Sequence, residues 1–184
     1  MLYVKSLGDG ENYKNSDEAA VNISFGGTTE NGKNTYILTF SSATNSKGIS
    51  SYTGSWYATI DGNKYNIANF NNNNNGWQYI KCGSKSAASI ATISTDWAIV
   101  EAIEKVTVTI DAVTSTNVNS TYLEVATDSG FSNVIEKISV TIAKGDLVYA
   151  ITNPTANCYY RLTYDCKKSS NGIIQISKVV YTNE

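Results

Sequence analysis

From Thr35 onward the chain alternates short β-rich runs with clusters of Gly, Asn, Ser and Asp. A strict apolar/polar alternation sends successive side chains to opposite faces of a strand. EKVTVTIDAV shows it most clearly, with Val106, Val108 and Ile110 on one face and Thr107, Thr109 and Asp111 on the other. TYILTFS reads the same way, with Ile37 opposed to Leu38 and Phe40. Further strands are expected at WYATI, KYNIANF, WQYIKCG, SIATIST, STYLEVATD, NVIEKISVTI, NCYYRLTYDC and GIIQISKVVYT. Asp61-Gly62-Asn63 predicts a tight hairpin, because a primed turn needs positive φ, which Gly adopts freely and Asp or Asn tolerates.

About ten short runs with no alternating helices exclude a parallel α/β plan and predict an antiparallel sandwich or barrel. DWAIVEAIEK is the one segment that reads as helix, with Thr95 or Asp96 as its cap and room for one or two turns. Residues 1–34 differ in texture: LGDGENYKNSDE and GGTTENGKN flank a single strand-like run at AAVNISF. They are read as an N-terminal arm or extra edge strand, and residues 35–184 as the sandwich domain.

The composition agrees. The chain has 184 residues, enough for one well-buried core, and its polarity comes from Asn, Ser, Thr and 13 Tyr, with only 16% charged residues. Its formal charge is −2 and its basic residues are scattered, so no stripe exists to neutralise a phosphate backbone, and nucleic acid is not expected as a partner. No apolar run is long enough to insert in a membrane. Cys158 and Cys166 bound one predicted strand and would lie about 26 Å apart, too far to pair with each other. Cys82 can meet either of them only through the tertiary fold. All three cysteines are read as small buried or edge hydrophobes.

Three stretches, NNNNNGWQYIKCGSKSAASIAT, IEKVTVTIDAV and NCYYRLTYDCKKSSNGIIQISKVVY, resemble the jelly-roll and galactose-binding-like β-sandwiches of gut-bacterial surface proteins and their phages. The resemblance covers about residues 35–181 and implies a middle strand ending in an exposed loop, a crossing core strand and a closing aromatic pair. The expected fold is therefore all-β: an antiparallel two-sheet β-sandwich, jelly-roll-like, with at most one short helix near residues 96–104.

Candidate chemistry is narrowed by what is missing. With no histidine, Ser-His-Asp and Cys-His nucleophiles cannot be built, and the usual zinc sites lose their nitrogen ligands. ATDSGFSN around Asp128 reads as an ordinary turn, since it lacks the spaced carboxylates of a calcium loop. No metal and no cofactor are expected. A two-carboxylate glycosidase needs neither, but Asp61, Asp96, Glu101, Asp111, Glu124 and Asp165 fall in turns or on wet strand faces with nothing to mark a converging pair. The chain is expected not to be an enzyme.

The aromatic residues carry more content. Tyr52, Trp56 and Tyr57 surround a Gly-containing loop, and Trp77 with Tyr79 follows the run Asn71 to Asn75. A flat indole or phenol covers the apolar C–H face of a sugar, while Asn amides read its hydroxyls as donor and acceptor at once. The expected ligand-binding residues are Tyr52, Trp56, Tyr57, Asn74, Asn75, Trp77, Tyr79 and Lys81, with Lys85 as a further donor. Trp97, beside Ile99, Val100 and Ile103, is read as core.

The expected function is a non-catalytic surface-recognition module, binding glycan through aromatic rim loops. The alternative is a structural virion protein, decoration or fibre, or a spacer domain of a bacterial surface protein, docking through residues 1–34. The expected partner is a glycan or a protein surface, with a possible assembly partner at residues 1–34. The expected location is extracellular or cell-surface for an excised module, and the virion if Met1 is the native start.

Overall fold

The computed structural model describes residues 2–4, 19–21, 28–30 and 33–183, with side chains from residue 35 onward. Two antiparallel six-stranded arrays pack face to face. The strands of the first are β5 (Ser55–Ile60), β6 (Asn63–Ala68), β8 (Ser89–Thr95), β10 (Val118–Ala126), β11 (Val134–Ser139) and β13 (Tyr159–Cys166). Its order is β11-β10-β13-β8-β6-β5. The second holds β3 (Thr28–Glu30), β4 (Lys33–Thr39), β7 (Ile80–Cys82), β9 (Lys105–Val113), β12 (Gly145–Ala150) and β14 (Ile174–Thr182). Its order is β12-β9-β14-β4-β3, and β7 lies beside β4 along the same edge of β14. Two more short strands, β1 (Leu2–Val4) and β2 (Ala19–Val21), pair with each other.

The strand order explains the connectivity. Among β4 and β8 to β14, the first, eighth, third and sixth strands form one sheet and the second, seventh, fourth and fifth form the other. Rolling up a long antiparallel ribbon leaves this jelly-roll order, which keeps every neighbour antiparallel. The β5–β6 hairpin is an addition at the edge of β8.

Alternation decides what is inside. Tyr36, Leu38, Phe40, Val106, Val108, Ile110, Val179 and Tyr181 point inward from one sheet, and Tyr65, Ile67, Ile93, Leu123, Tyr160, Leu162 and Tyr164 from the other. Burying one such aliphatic side chain contributes roughly 1.5–3 kcal/mol, so the two facing rows dominate stability. The Asp61-Gly62 turn has positive φ at both positions (51° and 79°), joining Ile60 to Asn63 in the expected hairpin.

The structure refines the expected elements in three places. The segment near residues 96–104 contains no helix: Ile99 bonds Cys158 through N–H to carbonyl at 2.9 Å, Ile103 is buried, and Asp96 spends its carboxylate on Asn66 and Lys64 rather than on a cap. Tertiary contacts outweigh a weak local helix preference. β12 is a strand that the pattern did not announce, since only Leu147 and Tyr149 of this edge segment face the core. At the N-terminus, β3 pairs with β4, and Ala19–Val21 of the strand-like run AAVNISF is β2, the rest of that run lying outside the described residues. Cys82, Cys158 and Cys166 are buried free thiols. Burial pushes the Cys82 thiol up, with the Cys166 sulfur beside it adding to the effect.

Candidate functional site

Asn71 and Lys81 close a loop by exchanging both backbone hydrogen bonds, at 2.8 and 2.9 Å. The loop holds the remaining asparagines and then Trp77 to Tyr79. Asn73, Asn74 and Asn75 all have positive φ (47°, 54° and 71°), three left-handed residues in succession. Left-handed backbone costs an ordinary L-residue roughly 1–2 kcal/mol, and Asn is the side-chain-bearing residue that tolerates it best, which explains the run. Asn72 is fully buried: its Oδ1 accepts from Ile49 N–H at 2.7 Å and its Nδ2 donates to Lys47 carbonyl at 2.9 Å. Asn71 Nδ2 donates to Ser50 carbonyl at 2.6 Å. These amides splice the 71–75 turn to the preceding 42–54 loop.

The bend at Gln78 and Tyr79 leading into β7 brings Trp77, Tyr79 and Lys81 together. The Trp77 and Tyr79 rings stack with centroids 5.0 Å apart and 22° between planes. Lys81 Nζ lies 4.6 Å from the Trp77 centroid and 5.3 Å from that of Tyr79. A cation stacked beyond the outer face of one ring would be much farther from the other, so near-equal distances place the ammonium at the side of the pair. Tyr52 completes the group: Lys81 Cδ and the Tyr52 hydroxyl lie 3.0 and 3.3 Å from where a β-carbon on Gly172 would stand. Partial burial raises the Tyr52 phenol above its ordinary value, opposed by the nearby Asn71 amide.

Of the expected site residues, the fold brings together Tyr52, Trp77, Tyr79 and Lys81. Trp56 does not join them. It is 4% exposed, its Nε1–H donates to Phe70 carbonyl at 2.9 Å, and its ring meets Phe40 edge to face, so it is a core residue. Tyr57 is 43% exposed but projects from the opposite sheet, with Lys64 Nζ 5.0 Å from its ring centroid. The Asn74 residue is exposed on the turn, whereas the Asn75 amide lies 3.1 Å from those of Asn45 and Asn72 and is spent within the loop. Lys85 is exposed on the loop after β7, its backbone N–H donating to Asn171 Oδ1.

The pattern missed the polar groups that flank Lys81. Gln175 of β14 is its direct cross-strand partner, and Asp111 accepts from Gln175 Nε2 at 3.5 Å and from Ser177 Oγ at 2.9 Å. Their signal was present as outward-facing polar positions of alternating strands, but the pairing of β7 with β14 spans about ninety residues of sequence and is not local information. Four of the six carboxylates considered for hydrolysis are held separately: Glu124 by Arg161 at 2.8 Å, Glu101 by the Tyr36 hydroxyl at 2.5 Å, Asp96 by Lys64 at 2.9 Å, and Asp165 by Asn119 at 3.1 Å.

No family model matches the chain, and no curated protein matches it in sequence. Among solved structures it is similar to the isomalto-dextranase of Arthrobacter globiformis T6 complexed with panose, at 11% identity and a TM-score of 0.38. That likeness covers 80% of this chain and 23% of the other, so the chain spans less than a quarter of that protein's length.

Proposed function

We propose that this chain is a non-catalytic glycan-binding module whose site is the Trp77–Tyr79–Lys81 platform with Tyr52 at its margin. The observation that carries the reading is the stacked, half-buried ring pair with an ammonium held at its side. Aromatic faces cover the apolar side of a pyranose, and hydroxyls find the Lys81 ammonium, the Tyr52 phenol and the Gln175 amide within the same patch. The platform sits on a loop locked by buried asparagines, so little ordering cost attends binding.

A non-catalytic role is supported by the histidine-free composition and by the carboxylates of Asp96, Glu101, Glu124 and Asp165, each engaged with a different partner. The test is a glycan array spanning bacterial and host polysaccharides, probed with the unmutated chain and with Trp77→Ala and Tyr79→Ala. Saturable binding that falls at least tenfold in both variants is expected. An array silent for the unmutated chain, or binding indifferent to both substitutions, would overturn the proposal.

A further inference from the structure

A second cluster lies where the β5–β6 hairpin meets the segment following β8. An open depression of about 310 Å³ is lined there by Gly62, Asn63, Lys64, Asp96 and Trp97. We infer that it is a second saccharide site, taking one ring of a neutral, hydroxyl-rich sugar. This inference does not depend on the Trp77 platform.

The polar groups are arranged before any ligand arrives. Asp96 N–H donates to Lys64 carbonyl at 2.9 Å, fixing the two backbones together. Lys64 Nζ pairs with Asp96 Oδ2 at 2.9 Å, and Asn66 Nδ2 donates to Asp96 Oδ1 at 2.7 Å. The Tyr57 ring lies 5.0 Å from the same ammonium. Each carboxylate oxygen retains acceptor capacity and the ammonium retains two further donors, which is the set that adjacent sugar hydroxyls need, since each hydroxyl both gives and accepts.

Charge selects the ligand class. Lys64 and Asp96, the two charged residues that line it, cancel, so the pocket favours neither a phosphate nor a cation, and a neutral polyol meets no charge penalty. Trp97 supplies the apolar wall. Its ring is held by Tyr65, edge to face at 4.9 Å and 88°, and by Tyr36 at 6.2 Å. The volume is at the small end of ligand pockets, matching one sugar ring rather than a long chain.

The side chains of Lys64 and Asp96 are 42% and 41% exposed. Their pair therefore contributes little to stability, and substitutions there leave the fold in place. Because Lys64 and Lys81 project from opposite sheets, one molecule with both sites would hold two strands of a polysaccharide and bind a polymer more tightly than a short oligosaccharide.

The experiment follows the assigned indole N–H signals of Trp77 and Trp97 by NMR as maltotetraose, cellotetraose, isomaltotetraose, xylotetraose or sodium phosphate is added to the full chain. The Trp97 signal is expected to shift saturably with at least one saccharide, in the unmutated chain and in Trp77→Ala alike. Asp96→Asn and Lys64→Gln are expected to weaken that shift at least tenfold without moving the Trp77 response. A Trp97 signal that no saccharide moves overturns the inference, as does a response indifferent to both substitutions or one produced by phosphate alone. Loss of the Trp77 response with the Trp97 response intact would instead remove the platform and leave this site standing.

Discussion

Gly48 lies directly against the backbone of Asn74: a β-carbon on Gly48 would stand 2.4 Å from Asn74 Cα and 2.5 Å from its carbonyl carbon. The contact ties the 42–54 loop to the left-handed asparagine turn that carries Trp77. Gly48→Ala is therefore expected to destabilise the chain and to weaken binding at the platform together, because backbone must move. At Asn74, Gly is expected to be tolerated, whereas Val costs at least ~1 kcal/mol by penalising left-handed φ. Chemical denaturation of the three variants checks the order.

Two buried tyrosines predict opposite responses to the same change. The Tyr181 hydroxyl is buried with no hydrogen-bond partner among the described residues, while that of Tyr149 shares a 2.6 Å hydrogen bond with Thr121 Oγ1. Burial pushes the Tyr149 phenol up to about 12, with the Thr121 contact opposing. Tyr181→Phe is expected to be neutral or stabilising by on the order of 1 kcal/mol, and Tyr149→Phe to cost about 1 kcal/mol. Equal losses in both would contradict the assignment.

Trp56 separates packing from recognition. Trp56→Phe removes the donor to Phe70 carbonyl and leaves that buried acceptor unsatisfied, at a cost of roughly 1–3 kcal/mol. Glycan binding is expected to be unchanged below the shifted melting temperature. A selective loss of binding in a fully folded Trp56→Phe protein would return this residue to the site.

The Asp128 carboxylate is held below the usual aspartate range by the N–H groups of Ser132, Asn133 and Gly130. Those bonds shape the turn that lays Phe131, at φ 56°, over the Arg161 guanidinium, 4.2 Å from the ring centroid. A depressed folded value means stabilisation that is present above the unfolded value and is lost as pH falls through the folded one. Asp128→Ala is thus expected to lower the melting temperature at neutral pH, with the difference closing in strong acid. A carbon-detected NMR titration of the side chain reports the shift directly.

Much of the fold was legible locally. Alternation at Val106, Val108 and Ile110 or at Leu38 and Phe40 states which face is buried, because a strand has only two faces, and Asp61-Gly62 states a turn, because few residues accept positive φ. Trp97 was legible in part: its packing against the core follows from its apolar neighbours, but its contact with Tyr65 and its place beside the Lys64–Asp96 pair do not.

What the chain by itself determined is an all-β molecule with alternating faces and a β5–β6 hairpin. Only the tertiary structure decided that Trp56 turns inward while Tyr57 turns out, that β7 pairs with β14 to set Lys81 beside Gln175, and that Asp96 meets Lys64 instead of capping a helix. The physical reason is range: strand character and turns arise from each residue's own backbone and neighbours, whereas register between distant strands is fixed by the core they bury together.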